Sequence, residues 1–153
     1  MTNRTGTYTL HRRQSIAAPR AEVFAFFSRP ENLALLTPQD LGFRILTPSP
    51  VRMEGGALID YTIRILGAGI RWTTLVTEYE APHRFVDVQL RGPYAYWHHA
   101  HEFTAIEGGT EMTDTVTYAM PLGVLGSVAH ALLVRRKLEA IFDFRRERVR
   151  MHW

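Results

Sequence analysis

Residues 85–121 read FVDVQLRGPYAYWHHAHEFTAIEGGTEMTDTVTYAMP, and their pattern decides the fold. The segment alternates with period two, as strands do, and is interrupted by the turn residues Gly92-Pro93 and Gly108-Gly109. Trp97, His99, His101 and Phe103 share one side of a strand, and His98, Ala100, Glu102 and Thr104 share the other. Asp87 and Gln89 fall in step with Phe85, and Asp114 falls in step with Met112, Val116 and Tyr118. One face is therefore apolar at its ends and polar in its middle, unlike an ordinary sheet core. It predicts a strand-lined cavity in which a few polar groups orient something inside.

Strand signals extend backward from this segment, over 42–47, 57–66 and 70–80, and continue through 85–91, 96–106 and 110–120. The joints Gly55-Gly56, Gly67-Ala68-Gly69 and Ala81-Pro82-His83 are short, which implies antiparallel neighbours. An earlier strand covers 8–16, with Tyr8, Leu10, Arg12 and Gln14 on one face. Pro19 then sits where a helix begins, and 20–27 carries Val23, Phe24 and Phe27 on one side as core residues. Pro30 opens a second short helix over 31–36, which Thr37-Pro38 stops. From 124 to 150, Ala131, Val134, Leu138, Ile141, Phe142, Arg145 and Val149 recur at spacings of three and four. A helix of that length reaches roughly 40 Å, enough to cross a small sheet. The expected class is α+β: a curved antiparallel sheet of six or seven strands wrapped around a long C-terminal helix, with two short helices after the first strand.

The 153 residues fit one domain, over residues 1–153, and a 46% hydrophobic, 22% charged composition is that of an ordinary globular protein. The absence of cysteine excludes disulfides, thiolate catalysis and cysteine-ligated metal. The longest apolar run, 129–134, is broken by His130 and is too short to cross a bilayer. No apolar run follows the N-terminal arginines, so a cytoplasmic location is expected. The formal charge of +3 rests on arginines, with Lys137 as the sole lysine. Arg135, Arg136, Arg145, Arg146, Arg148 and Arg150 cluster late in the chain. Glu139, Asp143 and Glu147 interleave with them at helical spacing, which reads as a solvated helix face. No strand pairs exposed aromatics with basic residues, so nucleic acid is not an expected partner.

The chain resembles the helix-grip fold of the START and SRPBCC superfamily, which includes birch-pollen-allergen-like proteins and bacterial polyketide cyclase/dehydrase-like proteins. The resemblance rests on Ile16-Ala17-Ala18-Pro19-Arg20-Ala21-Glu22-Val23-Phe24, Pro30-Glu31-Asn32-Leu33, Arg71-Trp72-Thr73 and Phe85-Val86-Asp87-Val88-Gln89. It continues through Gly92-Pro93-Tyr94, Trp97-His98-His99-Ala100-His101, Gly109-Thr110, Asp114-Thr115-Val116-Thr117-Tyr118 and Pro121-Leu122-Gly123. It implies a deep, largely apolar cavity between sheet and helix. It does not imply one activity, since the superfamily mixes carriers, sensors, cyclases and dehydratases.

The candidate site follows from the alternation. Tyr61, Trp72, Phe85, Trp97, Phe103, Met112 and Tyr118 supply apolar wall, and Asp87, Gln89, His99, His101 and Asp114 supply polar anchors. Tyr61 and Arg64 point to opposite faces of their strand, and Tyr61 shares parity with Ile59, Ile63 and Ile65. The turn at 67–69 and the loop at 48–54 are expected to rim the cavity. His99 and His101 stand about 6–7 Å apart along one strand face. Two imidazoles so placed can chelate a metal with Asp87 or Asp114, or hydrogen-bond to acidic neighbours, and the latter is the expectation here, with no cofactor. A His–Asp pair could also shuttle protons for a cyclase or dehydratase. The reading with most residues behind it is a binding module for a hydrophobic or aromatic small molecule, as monomer or homodimer. A protein-interaction role rests on the superfamily alone.

Overall fold

A computed structural model describes residues 6–153, so residues 1–5 of the N-terminal stretch read above lie outside the described residues. Seven strands, β1 (Thr7–Ile16), β2 (Arg44–Ile45), β3 (Leu58–Ile65), β4 (Ala68–Glu80), β5 (Arg84–Arg91), β6 (Tyr96–Ile106) and β7 (Gly109–Ala119), form one sheet. All neighbours are antiparallel, in the order β1-β7-β6-β5-β4-β3-β2. Short joints build the meander from β3 to β7, a longer connection over 46–57 links β2 to β3, and β1 closes on β7 across the rest of the chain. Helices α1 (Arg20–Phe27) and α2 (Leu33–Leu36, preceded by a 3-10 turn at Pro30–Asn32) follow β1. At the C-terminus α3 (Gly123–Ala129) and α4 (Arg135–His152) run on through a π turn at His130–Val134. This is the helix-grip arrangement, with a curved antiparallel sheet grasping a helical run over 123–152.

Register shifts in β4 between Thr73 and Thr74 and between Val76 and Glu78 bend that strand, and such bulges curl a sheet around what it holds. Two apolar clusters fill the concave side. One joins Val23, Phe24 and Phe27 of α1 to Phe85, Phe103, Met112 and Val149. The other joins Leu10, Trp72, Trp97, Val116 and Tyr118 to Leu138 and Phe142. The chain end is anchored to α1: Trp153 Nε1 donates to Glu22 Oε1 at 2.8 Å, and its ring packs on Phe26.

Three local expectations are corrected. The strand predicted over 42–47 is only Arg44–Ile45, because the amides of Leu46 and Thr47 both bond to the Asp60 carbonyl and the ladder stops there. The β3–β4 turn is Leu66-Gly67 rather than 67–69, with Ile65 paired to Ala68 across it. Ala131 is exposed rather than in the buried stripe, since the π turn adds a residue and shifts the helical phase.

Gly109 shows where backbone approach leaves no room. A Cβ there would run into the carbonyl oxygen of Ile16, whereas Gly69 has open space around it. Gly109→Ala is expected to lower the unfolding free energy by about 1–3 kcal/mol. Gly69→Ala should stay within about 0.5 kcal/mol of wild type. Urea titration of both variants measures the contrast, and equal stabilities would contradict it.

Candidate functional site

Equivalent levels of four elements carry the site. On β6, His99 and His101 separate Trp97 from Phe103. On β7, Asp114 separates Val116 from Met112, and on the long helix Arg145 separates Phe142 from Val149. Asp87 of β5 stands opposite His99 in the ladder, and Asp114 stands opposite His101. The result is a polar layer between the two apolar clusters.

The layer is closely connected. His101 Nε2 lies 2.8 Å from Asp87 Oδ2, and His99 Nε2 lies 2.8 Å from Asp114 Oδ1. His101 Nδ1 is 3.2 Å from Asp114 Oδ1 without the alignment of a hydrogen bond. An Arg145 guanidinium nitrogen is 3.4 Å from the same oxygen. Phe85 stacks on the His101 ring, and the guanidinium lies over Phe27 and Phe142.

Burial and charge oppose one another here. Burial alone would raise Asp114, but the Arg145 charge, the close His101 ring and the hydrogen bond from His99 hold it well below the usual carboxylate range. Burial likewise works against Asp87, and the hydrogen bond from His101 together with the positive charges of His101 and Arg145 outweighs it and lowers the group. Burial and the neighbouring His101 charge push His99 down to about 4. Burial also disfavours the His101 cation, yet Asp114 and Asp87 together raise it. Two carboxylates therefore face a guanidinium, a neutral His99 and a His101 whose protonated form they favour.

This layer forms part of the wall of a cavity of about 850 Å³ between sheet and helix. Asp87, His99, His101 and Arg145 face it together with Tyr61, Trp72, Phe85 and Trp97. Tyr61 stacks on Trp72, whose ring meets Trp97 edge-on. Burial raises the Tyr61 phenol, so it stays protonated. Trp72 Nε1 and Arg145 Nε are buried donors without a partner among the described residues. Its lining reaches solvent at Leu66 and Gly67 of the β3–β4 turn, at Asp40, and at Leu133 and Lys137 of the helical run, and these residues define its mouth. Lys137 Nζ bonds to Asp40 Oδ2 at 2.7 Å beside this mouth.

Five expected wall residues stand elsewhere. Gln89 clamps the β5–β6 turn, donating to the Tyr94 carbonyl and accepting from the Tyr94 amide. Phe103 and Met112 pack under α1. Tyr118 pairs its hydroxyl with His130 Nε2 at 2.7 Å, beside Tyr8. Asp114 sits behind the imidazoles. Arg64 reaches the mouth beside Tyr61 despite its parity, because its side chain folds over Gly42 near the sheet edge. Met53 of the expected loop borders the cavity, as do Phe27, Leu36 and Phe43, which lie outside the strand alternation. Arg145 is buried rather than on the solvated face, and its place in the apolar helical register is the signal of that burial.

Asp87, His99 and His101 offer donor atoms within 4.8 Å of one another. A cation held by them at about 2.0–2.2 Å would draw these atoms out of their present hydrogen bonds. The two imidazoles are engaged by the carboxylates, and Arg145 contributes a positive charge. Proton transfer is the chemistry to which the arrangement is better suited: Asp87 and His101 form a donor–acceptor pair on the cavity wall.

Asp114→Asn leaves Arg145 and His101 without their shared anion and is expected to cost about 3–5 kcal/mol of stability, read by urea unfolding. The histidines act in opposite senses. His99, depressed in the fold, lets stability fall as pH drops from about 6.5 towards 4, and His101, raised, lets it fall as pH rises above about 6.5. His99→Gln should flatten the acid limb of a stability–pH curve. NMR titration should find His99 neutral at pH values where His101 is charged, and coincident titrations would overturn the charge assignment.

Comparison with known proteins fits this architecture. The fold matches TTHA0849 from Thermus thermophilus with a TM-score of 0.72 at 17% identity, covering 95% of this chain and 99% of that one. It matches CV1439 from Chromobacterium violaceum with a TM-score of 0.71 at 14% identity, covering 93% and 94%. Part of a nucleoside-diphosphate sugar epimerase from Corynebacterium glutamicum is also similar, with a TM-score of 0.64 and 25% identity over 92% of this chain and 28% of that one. No curated protein matches. The family model described as polyketide cyclase / dehydrase and lipid transport matches residues 7–150, and the chain belongs to that family.

Proposed function

We propose that the protein, as one domain over residues 1–153, binds a hydrophobic or aromatic small molecule in the cavity between sheet and helix. The observation that carries this is the cavity itself, about 850 Å³ and walled by Tyr61, Trp72, Trp97 and Phe142 around the His–Asp layer. Drug-sized ligands occupy pockets of about 300–1,000 Å³ whose walls are mostly apolar with a few polar groups. Aromatic walls favour a flat or polyketide-like occupant through stacking. An occupant with an oxygen acceptor has unpaired N–H groups in the wall to meet, at Trp72 and Arg145. The family, whose description pairs cyclase / dehydrase chemistry with lipid transport, supports the same class of ligand.

A second reading has its own observation. Asp87 and His101 face the cavity as a hydrogen-bonded pair, which is what a cyclisation or dehydration of a bound carbonyl compound requires. Binding precedes such chemistry, so the binding experiment comes first.

Anilinonaphthalene sulfonate should bind with quenching of the Trp72 and Trp97 emission. Ile63→Trp, which fills the cavity at a wall position, should weaken that binding roughly ten-fold or more, about 1.4 kcal/mol. Unchanged affinity in a folded Ile63→Trp protein would place the probe elsewhere and remove this reading.

A further inference from the structure

Leu66 and Leu122 are the non-glycine residues with positive φ among the described residues, at +50° and +67°. Both are open to solvent, at 94% and 79% exposure. Positive φ disfavours residues with a Cβ, and a two-residue hairpin turn with both angles positive ordinarily takes Asn-Gly or Asp-Gly. A leucine there is unfavourable for the backbone and for solvation alike. Two such leucines point to a use for the side chains.

They adjoin other exposed apolar groups. Val124, Leu125, Val128 and Leu132 recur along the outward side of α3 and the π turn, while Gly126 and His130 face inward. Leu133 is exposed as well, and with Leu66 it borders the cavity mouth. The helix is thus apolar on its solvent side, the reverse of an ordinary surface helix.

The charges around this surface are positive in balance, with Asp40, Asp60 and Glu139 as the acids that pair there. From residue 61 to 77 and from 115 to 138 the chain contains no aspartate or glutamate, while Arg64, Arg71, Arg135, Arg136 and Lys137 fall within those spans. Arg71, Arg135 and Lys137 are paired with Asp60, Glu139 and Asp40. Arg64 and Arg136 have no acidic partner among the described residues. Exposed leucines bordered by unpaired arginines match the boundary between acyl chains and anionic headgroups. A protein partner would need only the apolar part, and the two cations left over after pairing, Arg64 and Arg136, favour the lipid.

We infer that the Leu66 turn and the outward face of 122–133 dock on an anionic phospholipid surface, bringing the cavity mouth against the bilayer. The chain lies on the membrane without spanning it, since no helix among the described residues is long and apolar enough to cross. The inference stands whether or not the cavity ligand is the one proposed above.

Co-sedimentation with vesicles of equimolar phosphatidylglycerol and phosphatidylcholine tests it. Wild-type protein should bind these vesicles, bind pure phosphatidylcholine far less, and lose affinity with added salt. The double variant Leu66→Ser/Leu132→Ser should lose roughly ten-fold or more. Arg64→Gln and Arg136→Gln should each cost about five-fold. Leu90→Ser, at an exposed leucine of β5, should change nothing. Circular dichroism and anilinonaphthalene sulfonate binding without vesicles, on the same variants, separate loss of docking from loss of fold or cavity. Three results would overturn the inference: no wild-type binding, equal binding by the double variant, or a dimer in sedimentation velocity that dissociates when these leucines are replaced.

Discussion

The buried contact between Arg145 and Asp114 organises the concave side of this protein. A guanidinium placed among Phe27, Phe142 and Val149 without an anion would be prohibitive, and Asp114 supplies that anion from the concave face of β7. Asp114 in turn orients His99 and leaves His101 to bridge towards Asp87. One connected layer therefore fixes how the long helix registers on β5, β6 and β7, a specificity that apolar packing alone provides less sharply. Polar groups at this depth also resist complete filling by side chains, which is consistent with open volume beside them.

The two apolar clusters divide the remaining work. Beneath α1 Phe24 meets Phe85 and Phe103 edge to face, Phe85 stacks on Phe103, Phe27 lies tilted against Phe103, and Val23 and Thr110 are completely enclosed. Towards the mouth Trp72, Trp97 and Tyr61 stand around open space. Family membership and fold are compatible with carriage or with catalysis because both need the hollow, and the polar layer is what differs in use between them.

Much of the architecture is legible from period-two alternation and turn residues, since β6 and α1 end where those signals place them. The identities that failed share a cause. Alternation says which face a side chain occupies but not what covers it, so Phe103 and Met112 group with the cavity in sequence although α1 lies over them. Gln89 has the right parity, yet its amide matches the backbone groups of Tyr94 in the adjoining turn. Arg145 is hidden by its own charge, because helical spacing puts it among the buried residues while residue type assigns it to water. The phase change at 130–134 cannot be read from a 3.6-residue repeat, and it is what turns Ala131 outward.

The anchorage of Trp153 to α1 makes the long helix a lever with its fulcrum at the chain end. At about 1.5 Å per residue, Arg145 lies roughly 12 Å from that fulcrum and Leu133 roughly 30 Å from it. A small tilt would displace the mouth more than twice as far as the guanidinium. Widening the entrance is therefore mechanically compatible with an intact Arg145–Asp114 contact, and the exposed Lys137–Asp40 bridge is the tie that such a swing would have to release.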